Sequence, residues 1–156
     1  MNLVIRMDYK YTSRNENDTM ELAENIESEK FPGMIICLDG ELGSGKTVFV
    51  KGFAKSLGIT ENITSPTFNI VKEYESGEMK LNHMDVYRIE DTDETIAFND
   101  YFKGDGVTII EWAELIEDKL PDERLEIKFK VIDENTRVLV LKPYGQKYED
   151  LVNYVL

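Results

Sequence analysis

Gly40-Glu41-Leu42-Gly43-Ser44-Gly45-Lys46-Thr47 is the stretch that decides the fold, because it matches the pattern G-x-x-x-x-G-K-[ST]. In this pattern the glycines let backbone N–H groups turn toward phosphate oxygens, the lysine reaches the β- and γ-phosphates, and the threonine hydroxyl takes Mg²⁺. The apolar run 34–38 before it predicts a buried strand, and residues 48–57 after it have helical spacing. Strand, loop and helix in this order aim a helix N-terminus at an anion. The stretch therefore predicts a site for a nucleoside triphosphate or its diphosphate.

Composition favours one globular domain over residues 1–156, because 42% of the residues are hydrophobic, enough for a real core. The sequence has no run of about 18 apolar residues, so we expect no membrane span. Its N-terminus is too short and too polar for a signal peptide. A single cysteine, Cys37, cannot form a disulfide within the chain. These features fit a reducing, cytoplasmic location.

The net charge of −13 comes from 31 acidic and 18 basic residues. Such a negative field opposes non-specific binding to nucleic acid, which depends on neutralising phosphates. We therefore expect no direct tight binding to nucleic acid, and any role in RNA biology should pass through a protein partner. The alternative interpretation is that the charge only keeps the protein soluble.

The rest of the chain predicts alternating helices and strands. In chain order we predict a strand over 9–12, a helix from a cap at Asn15, Asn17 or Asp18 to about Glu29, strands over 68–75 and 79–88 joined by residues 76–78, a short helix over about 93–102, a strand over 107–110 ending in Glu111, a helix over about 114–120, strands over 125–131 and 137–141, and a helix or loose tail over 148–156. Because a hairpin follows the first strand–loop–helix unit, the sheet cannot be wholly parallel. We predict a P-loop NTPase-like, three-layer α/β/α fold with a mixed parallel and antiparallel central sheet.

Two acidic residues stand at predicted strand ends. A nucleotide hydrolase needs a carboxylate at such an end to hold Mg²⁺, directly or through water, and a group to orient the attacking water. Glu111 closes the most hydrophobic strand after the loop strand, and Asp85 closes the second hairpin strand. The alternatives are a solvent-facing strand end for Glu111, and a turn cap or a partner for Arg88 in the case of Asp85.

The only histidine, His83, is predicted on the same strand face as Leu81, Asp85 and Tyr87, because side chains alternate along a strand. A histidine on a half-buried strand is more often a hydrogen-bonded filler than a general base. Residues 65–67, Ser-Pro-Thr, lie where many phosphate-loop proteins place a loop that senses the γ-phosphate. Spacing alone makes this a weak signal, since proline-containing loops are common.

Four motifs in order resemble one known family. They are Gly40 to Thr47, Ser65-Pro66-Thr67-Phe68, His83-Met84-Asp85-Val86-Tyr87-Arg88, and Ile110-Glu111-Trp112-Ala113-Glu114. Together they resemble the TsaE (YjeE-like) family of bacterial ATPases, and the resemblance covers essentially the whole chain. That family acts in making the threonylcarbamoyladenosine modification beside the anticodon of tRNAs that read codons starting with A.

The resemblance implies a role for each matching position. Thr47 and Glu111 would bind Mg²⁺, and Asp85 would be the acid on which hydrolysis depends, in a catalytic set with Lys46 and Glu111. Trp112 would flank the site, and the segment entering the first helix, near Glu16, would touch the nucleotide. The implied contacts to ATP or ADP are Glu16, Gly40, Leu42, Gly43, Ser44, Gly45, Lys46, Thr47, Thr67 and Trp112.

The resemblance also implies partners. Family members join a complex of TsaB and TsaD, the latter being the transferase, and ATP binding and hydrolysis reset it between rounds. Two other functions stay open. A small-molecule kinase would bring several arginines over the transferring phosphate, whereas here only Arg88 is near a motif. A non-hydrolysing, nucleotide-dependent binding module would have no need of Asp85 and Glu111.

Overall fold

The structure is a computed structural model that describes residues 8–66, 70–89 and 97–156. Within these ranges the elements are β1 (Tyr9–Ser13), α1 (Glu16–Ser28), β2 (Ile35–Asp39), α2 (Lys46–Leu57), β3 (Val71–Tyr74), β4 (Leu81–Asp85), α3 (Phe98–Phe102), β5 (Val107–Glu111), a 3-10 helix (Ala113–Lys119), β6 (Arg124–Val131), β7 (Arg137–Tyr144) and α4 (Gln146–Val155).

The strands form one sheet in the order β1-β7-β6-β2-β5-β4-β3. Its centre is parallel, because β2 pairs in parallel with both β6 and β5, and β5 with β4. The outer pairs, β1 with β7, β7 with β6, and β3 with β4, are antiparallel. The predicted mixed sheet is confirmed. The loop after β2 leaves the carboxyl edge between two neighbouring strands, where open α/β sheets bind their ligands.

Apolar side chains cover both faces of this sheet, which confirms three layers. On one face Leu22 of α1, Phe49 of α2 and Leu151 of α4 pack against the sheet. On the other face Phe98 of α3 and Ile116 of the 3-10 helix pack against it. The central strands β2 and β5 are buried along their whole length, as their continuous apolar runs predict.

The helix ends follow local sequence. Asn15 caps α1, accepting a 2.8 Å hydrogen bond on its side-chain oxygen from the backbone N–H of Asp18. Gly58 ends α2 with a φ of 91°, a conformation that glycine adopts without strain. The C-terminal segment is a helix and not a loose tail, and the Tyr148 hydroxyl on it accepts a 2.9 Å bond from the buried N–H of Ile35.

The predicted hairpin linker of three residues is wrong, because β3 ends at Tyr74 and β4 begins at Leu81. The longer loop pairs with the end of α2 instead of extending the two strands. The N–H of Glu78 donates to the carbonyl of Leu57 at 2.9 Å, which satisfies a carbonyl in the last turn of α2. The predicted start of β3 at Phe68 lies outside the described residues.

The predicted end of β4 at Arg88 is also wrong, because the strand stops at Asp85. The Asp85 carboxylate accepts a 3.0 Å bond from the N–H of Tyr87, forming a side-chain-capped turn. Tyr87 therefore leaves the strand face and is 61% exposed.

Three smaller differences concern element type and length. Residues 113–119 form a 3-10 helix, which a periodicity argument cannot distinguish from an α-helix. Strand β7 continues to Tyr144, because β6 begins at Arg124 and pairs with it there. Of the helix predicted over 93–102, the part at 93–96 lies outside the described residues, and the rest is α3. In the described ranges, every helix is too short or too polar to cross a bilayer.

Helices α1 and α2 approach so closely that Gly52 has no room for a side chain. A Cβ at this position would lie 2.8 Å from the Met20 Cα, a backbone atom. Alanine in a helix is normally favoured over glycine by about 1 kcal/mol. Here we expect Gly52→Ala to lower the free energy of unfolding by about 1–3 kcal/mol, since the helices must separate.

Urea unfolding followed by circular dichroism checks this prediction. The exposed residue Lys55 on the same helix supplies the control, because Lys55→Ala should change stability by less than about 0.5 kcal/mol. A Gly52→Ala protein as stable as the parent, or more stable, would mean that the helices yield without cost.

Candidate functional site

A cavity of about 670 Å³ opens at the carboxyl edge of the sheet, above the loop between β2 and α2. Most of the predicted site residues line it. They are Glu16, Leu42, Gly43, Ser44, Gly45, Lys46, Thr47, Asp85, Glu111 and Trp112. Thr67 lies outside the described residues. The neighbouring Ser65 does line the cavity.

Gly40 is absent from the wall and serves the loop by its size. A Cβ there would lie 2.7 Å from the Ser44 Oγ and 2.9 Å from the Phe129 Cβ, so only glycine lets the loop fold back over β6. Gly45 has a φ of 106° and stands at the N-terminus of α2, where no side chain caps the helix. The first N–H groups of α2 therefore have no partner within the helix. They form the positive end of the helix dipole, which attracts anions.

Lys46, the first residue of α2, closes the loop onto itself. Its ammonium donates to the carbonyl oxygens of Gly40 and Glu41, the latter at 3.1 Å, and lies 3.9 Å from the centroid of the Trp112 ring. Burial lowers the pKa of Lys46, while the charge of Glu111 opposes this shift. The cation is thus held between carbonyls and an aromatic face in the lining of the cavity.

Thr47 meets the acid of strand β5. The Thr47 hydroxyl lies 3.2 Å from Oε1 of Glu111 and 3.1 Å from the Ser65 hydroxyl. Glu111 is 3% exposed, so it is not the solvent-facing strand end that the sequence left open. Its other oxygen, Oε2, lies 2.6 Å from Nε2 of His83.

Asp85 stands directly beside Glu111, because β4 and β5 pair in parallel with these residues in register. Burial raises the pKa of Asp85, whereas the hydrogen bond that its carboxylate accepts from the N–H of Tyr87 acts to lower it. The turn-cap interpretation of Asp85 therefore applies, and the same side chain also lines the cavity. Two acids on adjacent strand ends and one hydroxyl make up the floor of the site.

Trp112 lines the cavity directly after Glu111 and lies against Lys46. It adopts a φ of 62°, unusual for a residue with a side chain, and its N–H donates to the Leu38 carbonyl at 2.9 Å. This turn ends β5 and places the indole against Lys46. The exposed Tyr87 ring packs on the indole with 4.8 Å between centroids.

Arg137 is a site residue that the sequence did not indicate. It begins β7, and its guanidinium donates to the carbonyls of Ser44 at 3.2 Å and Gly43 at 3.3 Å, which ties the loop to the β6–β7 hairpin. Asn15 and Asn17, considered only as helix caps, also line the cavity. No motif surrounds Arg137, and 93 residues separate it from Ser44, so no local signal could have found it.

The residues present fit a nucleotide with Mg²⁺. In the described part of the chain no three His, Cys, Asp or Glu side chains cluster as metal ligands. Mg²⁺ does not require such a cluster, since it keeps several waters and takes one or two carboxylates plus phosphate oxygens. Thr47 and Glu111 offer a hydroxyl and a carboxylate beside the uncapped end of α2, and these are oxygen ligands of the kind that Mg²⁺ binds.

Asp39, at the end of β2, carries a buried charge next to this site. It is 5% exposed and accepts a 2.9 Å bond from the N–H of Glu114. Burial raises the pKa of Asp39 to about 6, whereas the side chain in an unfolded chain titrates near about 3.9. The folded protein therefore keeps a proton that the unfolded chain releases between these values.

We expect the free energy of unfolding to fall as the pH rises from about 4 to about 6, through the Asp39 contribution, and then to level off. The sign follows because the folded state binds more protons in this window. Asp39→Asn, which keeps an oxygen acceptor, should remove this contribution and flatten the profile.

Urea unfolding at several pH values measures both profiles, with the exposed Asp105→Asn as a control that should retain the parent slope. Parallel profiles for the parent and Asp39→Asn would contradict the assignment.

Comparison with known proteins finds relatives that share the same protein name. Residues 13–139 match the family model described as "Threonylcarbamoyl adenosine biosynthesis protein TsaE". The chain is similar to the Bacillus subtilis tRNA threonylcarbamoyladenosine biosynthesis protein TsaE, with 45% identity, covering 91% of this chain and 90% of that protein. It is 43% identical to the Aquifex aeolicus protein of the same name, covering 79% and 87%.

A solved structure shares the fold. The crystal structure of Bacillus subtilis YdiB matches with a TM-score of 0.86 and 37% sequence identity, over 98% of this chain and 97% of that one. The match supports the P-loop NTPase-like architecture that the strand order shows.

Proposed function

Because the chain belongs to the TsaE family of threonylcarbamoyladenosine biosynthesis proteins, we propose that it is a Mg²⁺-dependent ATPase that serves formation of this modification on tRNA. It would do so by joining TsaB and TsaD and resetting the transferase between rounds. A cytoplasmic location, expected from the single cysteine, belongs to the same proposal.

The observation that carries the proposal is the grouping of Thr47, Glu111 and Asp85 below the uncapped N-terminus of α2. The loop alone supports nucleotide binding. Two carboxylates in register at the ends of β4 and β5 add what hydrolysis needs beyond binding. This grouping favours an ATPase over a module that only binds nucleotide.

Each residue has a role in this proposal. Backbone N–H groups of the loop and first turn of α2 bind the phosphates, and Lys46 exchanges its carbonyl partners for phosphate oxygens. Thr47 and Glu111 would hold Mg²⁺, which neutralises charge on the β- and γ-phosphates. Asp85 orients the attacking water and accepts its proton, and Trp112 flanks the nucleotide.

A small-molecule kinase is less well supported. Among the described residues that line the cavity, Arg137 is the only arginine, and its guanidinium is already committed to loop carbonyls. A small-molecule kinase usually brings several arginines over the transferring phosphate, and a single arginine in the lining does not match that pattern.

Phosphate release, measured with and without TsaB and TsaD, tests the proposal. We expect slow release from this protein alone and faster release from the three together. Intact ATP after many minutes with all three proteins present would end the ATPase assignment, and a phosphorylated metabolite in place of free phosphate would favour the kinase.

The charge of −13 also predicts that the isolated protein retains no tRNA at moderate salt in a gel shift.

A further inference from the structure

His83 is buried behind the acids of the site and makes one polar contact with them. It lies in the middle of β4, its side chain has no exposed surface, and its Nε2 is 2.6 Å from Oε2 of Glu111. It is not among the residues that line the cavity. A ring that is fully enclosed cannot take a proton from an attacking water, so a general-base role does not fit.

The contact defines the state of the ring. A carboxylate oxygen can only accept, so Nε2 carries the hydrogen and donates it. Within the described part of the chain, the other nitrogen, Nδ1, is buried without a hydrogen-bond partner. A proton on Nδ1 would be a buried donor with nothing to bind, which costs more than a bare lone pair on a neutral ring. His83 therefore contacts Glu111 through Nε2 alone, and Nδ1 makes no hydrogen bond within the described residues.

Glu111 needs such a donor, because its position decides the geometry at Thr47. The Thr47 hydroxyl lies 3.2 Å from one Glu111 oxygen and 3.4 Å from the other, so a modest rotation of the carboxylate changes which oxygen it meets. The glutamate side chain has several rotatable bonds and must be held by its surroundings. The bond from His83 occupies Oε2 and leaves Oε1 turned toward Thr47.

We propose that His83 is a positioning residue, which locks the Glu111 carboxylate in the orientation that binds Mg²⁺ together with Thr47. The inference rests on the proposed function and adds a residue to it. A partner that orients a ligating side chain typically changes metal affinity by about 10- to 100-fold when it is lost. The unpaired Nδ1 is the structural cost of this arrangement.

Two variants of matched length test the proposal. His83→Gln keeps an N–H donor at a similar reach, whereas His83→Met has a similar length and flexibility but no donor, and methionine adapts well to buried sites. The measurement is ADP binding by calorimetry, in EDTA and over a series of Mg²⁺ concentrations. This readout does not depend on turnover.

We expect His83→Met to raise the Mg²⁺ concentration for half-maximal effect about 10- to 100-fold, while binding in EDTA changes little. His83→Gln should recover most of the loss. In a Glu111→Ala background, the Met substitution should add no further shift, since the carboxylate that His83 contacts is already gone. Equal shifts for Gln and Met, or no shift for Met, would overturn the proposal.

If the Met protein does not fold, His83→Leu, which is smaller, takes its place, and the parent protein offers a further measurement. Because His83 is the only histidine, labelling histidine with nitrogen-15 gives one ring. We expect its Nε2 to carry a hydrogen that is bonded to Glu111, and an Nε2 without a hydrogen would overturn the contact.

These outcomes can be separated from a failure of the proposed function. If the proposed function fails, the parent protein itself shows no Mg²⁺-dependent nucleotide binding. If only this inference fails, the parent is normal, and the variants are either unchanged or shifted equally.

Discussion

Lys46→Ala is expected to abolish tight binding of both ATP and ADP, and with it all turnover. The side chain supplies the one lysine ammonium of the loop motif, and hydrogen bonds to charged groups contribute about 1.5–3 kcal/mol each. Without this positive charge, the negative phosphates would lie near the carboxylates of Asp85 and Glu111 with less positive charge to offset the repulsion. We therefore expect the affinity to fall about 100-fold or more.

Calorimetry with ATP and ADP in the presence of Mg²⁺ measures this loss. Circular dichroism should show a folded protein, since burial already lowers the pKa of Lys46 and so disfavours its charged form in the folded state. Lys51→Ala, an exposed change on the same helix, should bind like the parent. A Lys46→Ala protein whose affinity stays within about threefold of the parent value would show that the backbone alone holds the phosphates.

Asp85→Ala is expected to preserve ATP binding and to depress turnover by about 100- to 10,000-fold, the usual range for a group that moves a proton. Asp85 lines the cavity beside Glu111, but it is not part of the phosphate loop. Its loss should therefore affect the water and leave the phosphates bound.

Asp85→Asn separates the two roles of this side chain. Asparagine keeps an oxygen that can accept from the N–H of Tyr87, so the turn after β4 is preserved, but it cannot take a proton. We expect it to hydrolyse ATP as poorly as the alanine protein, measured as phosphate release per bound ATP. If Asn restores turnover, or if Ala abolishes binding while each bound ATP is hydrolysed at the parent rate, Asp85 is structural.

The elements around the loop were predictable because their signals are local. The run 34–38, the glycines and the helical spacing after Thr47 lie within a few turns of each other, and the structure has β2, the loop and α2 at these positions. Asn15 begins α1 and Gly58 ends α2 through hydrogen bonds to residues a few positions away. The hairpin of β3 and β4 formed, but its predicted linker was too short, because the longer loop places the N–H of Glu78 on the Leu57 carbonyl of α2, which no local pattern reveals.

The amino-acid order by itself determined the phosphate loop, the alternation of helices and strands, and the two strand-end acids. Tertiary structure alone decided what those acids touch. Glu111 meets His83 across 28 residues of chain and Thr47 across 64, and Arg137 reaches the loop across 93. Backbone propensity and side-chain periodicity act over a few residues. The contacts of Glu111 exist only because parallel pairing of β2, β4 and β5 brings distant carboxyl ends to one edge, and Arg137 reaches the loop because β6 pairs with β2 and β7 with β6.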